Sequence, residues 1–149
     1  MHSQVKFKFS IGSYNGTMGM KISYKDRVLL SRDSFDEDTF TLEATIDLPG
    51  TVCIDLYGKG PNDTQIDEQG NVLKDKYIKL EELTVDRMPV HILSLIKLPE
   101  LHANNQVTRI NYWGFNGQAR INFEQSDPFR WHLDAMREKA NDWTKNKLT

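Results

Sequence analysis

QVKFKFSIG, residues 4–12, decides the fold: Val5, Phe7, Phe9 and Ile11 alternate with Gln4, Lys6, Lys8 and Ser10. Side chains along a β-strand point to opposite faces with a period of two. Strict alternation therefore marks a strand with one face in a core and one in water. The same period returns after the turn-like SYNGT, in Met18, Met20, Ile22 and Tyr24. Phe40, Leu42, Ala44 and Ile46 repeat it, Pro49-Gly50 reads as a turn, and Val52, Ile54 and Leu56 carry it to Gly58. The short RVLLS segment at 27–31 reads as one more strand.

Further along, the phase slips. Ile78 and Leu80 share one face, and Leu83 and Val85 resume one residue later, so a β-bulge near Glu81-Glu82 is expected. Residues 90–98, VHILSLIKL, are almost continuously apolar and suit a strand covered on both faces. Segments 106–113 and 117–123 complete eight or nine strands, with Gly, Pro or Asn in many connections. No helix-period segment interrupts them, which argues against βαβ units. The economical arrangement is an all-β antiparallel sandwich of two sheets packed face to face.

The end of the chain changes period. Phe129, Leu133, Met136, Ala140 and Trp143 recur at spacings of four, three, four and three, which is one helical stripe. Asp127-Pro128 supplies an N-cap and first-turn pair, and Lys145 and Lys147 suit the carboxyl end of the helix dipole. The expected division is therefore a sandwich over 1–125 and a C-terminal amphipathic α-helix with its tail over 126–149. The stripe either packs on the sandwich or serves as a partner-binding face of Phe129, Leu133, Met136 and Trp143, for self-association or for another protein.

Composition narrows the function classes. The chain has 149 residues, 19 basic and 21 acidic, for a net charge of −2. That balance gives no electrostatic footprint for nucleic acid. No apolar run approaches the ~20 residues of a membrane-spanning helix. MHSQVKFKFSIG alternates instead of presenting an apolar block, so no secretory signal is read there. The lone Cys53 makes neither an internal disulfide nor a cysteine-rich zinc site. His2, His91, His102 and His132 stand in unrelated contexts, and no nucleophile elbow, phosphate loop or dinucleotide fingerprint is present. A non-catalytic protein is expected.

The segment from Asp55 to Asp86, DLYGKGPNDTQIDEQGNVLKDKYIKLEELTVD, is the exception to this blandness. Oxygen-bearing side chains on a glycine-containing loop between strands suit calcium, which takes six to eight oxygen ligands including backbone carbonyls. A second reading needs no metal: Asp67-Glu68-Gln69-Gly70-Asn71 is a hairpin tip, with Gly70 supplying positive φ between Ile66 and Val72. The run Asp33, Asp36, Glu37 and Asp38 reads more simply as a solvated turn than as another cation site.

IDLYGKGPND at 54–63 followed by DKYIKLEELTVD at 75–86 resembles the calcium-dependent xylan-binding carbohydrate-binding modules, over roughly residues 5–88. The resemblance implies a jelly-roll sandwich and a Ca2+ ion held by Asp63 and Asp75, with backbone carbonyls around Gly58 and Gly60. It also implies a glycan partner, whose vicinal hydroxyls the calcium bridges. The chain departs from that family in two places. A hairpin-like insertion separates Asp63 from Asp75, and Lys76-Tyr77 replaces the usual Arg-Asn.

Aromatic rings supply the other half of a sugar site, because a pyranose C–H face stacks on them. Asn62, Tyr57, Tyr77 and Tyr112 are the candidates for carbohydrate binding, while Trp113 and Phe115 read as covers for the open end of the core. The NDTxxDExG-type loop and the late GFNG strand also resemble, in style, accessory structural proteins of tailed bacteriophages. That likeness implies a virion protein made in the host cytoplasm, as capsid decoration or tail adhesin. The competing expectation is a protein–protein assembly module with neither sugar nor metal site.

Overall fold

The structure, a computed structural model, describes residues 2–124. The helix expected at 128–145, its partner-binding stripe and the unit 126–149 lie outside the described residues. Strands β1 (His2–Gly12), β2 (Gly19–Tyr24), β3 (Arg27–Arg32), β4 (Thr39–Asp47) and β5 (Gly50–Tyr57) come first. A hairpin of β6 (Thr64–Ile66) and β7 (Val72–Asp75) follows, then β8 (Tyr77–Val85) and β9 (Met88–Pro89). The helical turn α1 (Ile92–Leu95) precedes β10 (Glu100–Ala103), β11 (Gln106–Arg109), β12 (Tyr112–Trp113) and β13 (Gly117–Phe123).

One sheet has the order β12-β8-β1-β4, with β9 on β8, and the other the order β11-β10-β13-β5-β2-β3. Every pairing between described strands is antiparallel. The alternation of β1 becomes an inner row of Val5, Phe7 and Phe9, joined by Leu80, Leu83 and Val85 of β8. From the second sheet come Met20 and Ile22 of β2, Val52, Ile54 and Leu56 of β5, and Ile121 and Phe123 of β13. These rows form one apolar cluster between the sheets. Each such side chain contributes about 1.5–3 kcal/mol by leaving water, which is why the period-two pattern dictates the layering.

The phase slip in β8 is a bulge. Lys8 pairs with Glu82 and Phe9 with Leu80, which leaves Glu81 unopposed. Its carboxylate accepts from the Ser10 hydroxyl at 2.6 Å on the outer face. Leu80 and Leu83 both reach the core because of that extra residue.

Two expectations need correction. Residues 90–98 are not a strand covered on both faces: the chain makes the turn α1, capped by the His91 side chain, which accepts from Leu93 N at 3.2 Å. Only Leu95 of that turn is buried, and Ile92, Leu93 and Ile96 face outward. A short unbroken apolar run does not distinguish strand from helix, and Leu95 and Leu98, three apart, meet the core. The strand count also exceeds eight or nine: the described residues contain thirteen, because short β9 and β12 and the separate β6–β7 hairpin add to the two main layers.

At the hairpin tip the Asp67 carboxylate accepts from Gln69 N, Asn71 N and Asn71 Nδ2. Gly70 takes φ +85°, a conformation that disfavours other residues. Asp67 is therefore turn chemistry, as its place in the sequence suggests.

Candidate functional site

Strand register sets what meets at one end of the sandwich. Gly12 pairs with Tyr77, Gly19 with Tyr57, Leu56 with Gly117, and Ile78 with Trp113. The connections 13–18, 58–63 and 114–116 consequently leave the sheets at the same end, together with Lys76 and the root of the β6–β7 hairpin.

Two lysines organise that end. Lys59 Nζ donates to Asp75 Oδ1 at 2.5 Å and to the Gly114 carbonyl at 2.5 Å. The Asp75 carboxylate also accepts from Thr64 Oγ1 at 2.7 Å and from the Tyr112 hydroxyl. The side chains of Lys59 and Asp75 are only 11% and 10% exposed. Lys76 Nζ lies 2.9 Å from Asp63 Oδ2 and donates to the Gly58 carbonyl at 3.3 Å, with side chains 7% and 13% exposed. Asp63 further accepts from Gly60 N at 2.7 Å, and Asn15 Nδ2 donates to the Asn62 carbonyl at 3.0 Å. Buried charges persist only when paired and hydrogen-bonded, and both pairs meet that condition.

These contacts set the protonation of the acids. Burial of Asp75 on its own favours the neutral acid, but hydrogen bonds from Lys59, Tyr112 and Thr64 outweigh it and lower its pKa. For Asp63 the Gly60 N–H and the Lys76 ammonium lower the value. Tyr112 is raised, by burial first and then by its bond to Asp75, so its hydroxyl stays a donor.

Carboxylates depressed in the folded state stabilise it above the ordinary Asp value of about 3.9, and that stabilisation is lost as pH falls through the lower folded values. Lowering the pH from about 7 to about 3 should therefore depress the melting temperature, and Asp75→Asn should flatten the acid limb. Identical acid limbs for variant and parent, followed by circular dichroism, would remove Asp75 from this role.

The predicted sugar-contacting residues separate into groups. Tyr77 lies over Gly12, where a Cβ would collide with its ring, and stacks on Tyr112 at 4.6 Å between centroids. Tyr57 lies over Gly19 in the same way, and its hydroxyl turns to Asp33 Oδ1 at 2.6 Å, away from the Lys59 group. Both rings thus serve as plates over glycines. Tyr112 joins the ion-pair network through its hydroxyl, and Asn62 is exposed on the adjoining loop.

Trp113 is fully buried beside Phe9, with Nε1 donating to the Ile110 carbonyl at 2.8 Å, which agrees with a core cover. Phe115 does not cover the core. It is 57% exposed, and the Lys59 ammonium lies 5.8 Å from its ring centroid. Asn116 fixes this loop from the other side: Lys59 N donates to Asn116 Oδ1 at 2.9 Å, and Asn116 Nδ2 to the Lys59 carbonyl at 2.8 Å.

Sequence reading placed Phe115 with the core and gave Lys59 and Lys76 no part in the site. The available signals were an aromatic flanked by Gly114 and Asn116, and lysines embedded in the acidic segment.

The residues assigned to calcium are brought together only in part. Asp63 and Asp75 are each engaged by a different lysine, Asp63 by Lys76 and Asp75 by Lys59. The Gly58 carbonyl accepts from Lys76, and the Gly60 carbonyl accepts from Asp63 N at 3.3 Å. Among the described residues no three His, Cys, Asp or Glu side chains are grouped to hold a metal ion. The donor set does not fit calcium as it stands. The Asp33–Asp38 run is likewise spent locally, with Glu37 accepting from Arg32 Nη1 at 3.3 Å and from Asp36 N. Among the described residues no helix is long and apolar enough to cross a membrane.

No family model and no curated protein matches the chain. Among solved structures it is similar to the selenomethionine form of vCBM60, from work on two families of calcium-dependent carbohydrate-binding modules. The identity is 10%, over 80% of this chain and 90% of that one, with a TM-score of 0.49. It is also similar to vCBM60 in complex with galactobiose, at 12% identity over 80% of this chain and 97% of that one, with a TM-score of 0.45.

Proposed function

We propose that the chain is a non-catalytic binding module that takes a glycan at the loop end carrying Phe115. The observation that supports this reading is the exposed Phe115 ring on a loop pinned by Lys59 and Asn116. An aromatic face held rigid in water offers a sugar ring C–H stacking at little entropic cost. Asn62, exposed on the adjoining 58–63 loop, offers a polar side chain at the same end of the sandwich. On the NDTxxDExG-type loop and the GFNG strand, we assign the module to a tailed-phage particle, as decoration or tail adhesin.

Phe115→Ala should weaken retention in affinity electrophoresis on a panel of soluble plant and bacterial glycans by about fivefold, since stacking of this kind is worth ~1 kcal/mol. Because Phe115 lies outside the core, the melting temperature should stay within about 1 °C of the parent. Unchanged retention would move the sugar site elsewhere.

A second reading has its own observation. Ile92, Leu93 and Ile96 on α1 and Ile66, Val72 and Leu73 on the hairpin are exposed apolar side chains. They suit a protein–protein assembly module; the partner-binding face expected from sequence at Phe129, Leu133, Met136 and Trp143 lies outside the described residues.

A further inference from the structure

We infer that this loop end works without a metal ion, because Lys59 and Lys76 occupy the oxygen donors that the resemblance assigns to calcium. The inference rests on the glycan reading only for the location of the ligand, since its evidence is the donor set itself. Calcium needs six to eight oxygens with free lone pairs. Here Asp75 Oδ1 already accepts from Lys59 and Thr64, and Asp75 Oδ2 accepts from Tyr112. Asp63 Oδ2 faces Lys76 at 2.9 Å and accepts from Gly60 N.

Of the carbonyls assigned to the cation, Gly58 accepts from Lys76 and Gly60 from Asp63 N, and the nearby Gly114 carbonyl accepts from Lys59. Each lysine therefore gathers one carboxylate and one main-chain carbonyl, the mixed ligand set expected of the metal. Two carboxylates and two ammoniums leave the group with no net charge, so nothing in it attracts a dication. An entering ion would meet two buried positive charges.

The lysines also suit the two departures from the carbohydrate-module pattern. Lys76-Tyr77 stands where that family has Arg-Asn, and the inserted hairpin brings Thr64 and Asp75 together at its root. The lysine shells do the structural work of joining the 58–63 and 114–116 loops to the hairpin. Glycan recognition at Phe115 follows as chelator-insensitive.

The test melts the parent chain in millimolar calcium and in excess EDTA, and repeats glycan retention in both buffers. Superimposable melts and equal retention are expected. A calcium-induced rise of about 5 °C or more overturns the inference, because an ion bound to the folded state must stabilise it. So does retention that EDTA abolishes. Lys59→Met should melt lower than the parent by a similar amount in both buffers, and a variant as stable as the parent would overturn the role given to Lys59. Absence of retention in both buffers, with superimposable melts, would sink the glycan reading and leave the metal-free assignment standing.

Discussion

Asp75→Ala should lower the melting temperature by about 10 °C, the largest loss expected from any single polar side chain at the loop end. The carboxylate accepts from Lys59, Thr64 and Tyr112 together, so its removal strands three donors at once. The most costly is the Lys59 ammonium, on a side chain 11% exposed. Breaking a buried pair by deleting one partner costs about 3 kcal/mol or more, because the remaining charge has neither water nor counter-ion.

In a chain of this size, 1 kcal/mol moves the midpoint by about 3–4 °C. Asp75→Asn keeps the shape and part of the acceptor capacity and should lose less. Differential scanning calorimetry of both variants decides the matter. A midpoint for Asp75→Ala within about 2 °C of the parent would mean that the ion pair adds nothing.

Trp113→Ala is the second large effect, about 4 kcal/mol. The indole is fully buried, packs beside Phe9 at 6.2 Å between centroids, and satisfies its N–H on the Ile110 carbonyl. Truncation leaves a cavity beneath the short strand β12 and an orphaned acceptor. A two-residue strand has few ladder bonds of its own to hold it in place.

Urea unfolding should show a lower midpoint with little change in slope, and Trp113→Phe should recover much of the loss. A Trp113→Ala midpoint equal to that of Phe115→Ala would contradict the division between them. Those residues are two apart in the chain, and one is core while the other is platform.

The layers were legible because burial imposes a period on strands. Val5, Phe7, Phe9 and Ile11 need no structure to be placed on one face, and the displaced Leu83 and Val85 locate the bulge at Glu81. The α1 turn was not legible, since an unbroken apolar run carries no period and the His91 cap is a local contact. At the loop end, sequence position brought out Asp63, Asp75 and Tyr112, which do gather there. It did not show that Lys59 would cross to Asp75, sixteen residues on. Loop side chains have no periodicity, and their partners are set by how four separate connections converge. Exposure of Phe115 has the same origin, because the neighbouring Gly114 is held against Lys59 and Asp75, which come from other connections.

The β6–β7 hairpin belongs to neither sheet. Two strands alone are marginally ordered in water, so this arm borrows its order from its root. At the root Thr64 stands opposite Asp75, both side chains ending in the Lys59 network, and Lys76 N donates to the Asp63 carbonyl just outside. Loosening that carboxylate should fray the arm, because Asp75 is the contact its root shares with Lys59, whose ammonium also holds the Gly114 carbonyl beside Phe115. The hairpin is thus tied to the loop end through Asp75.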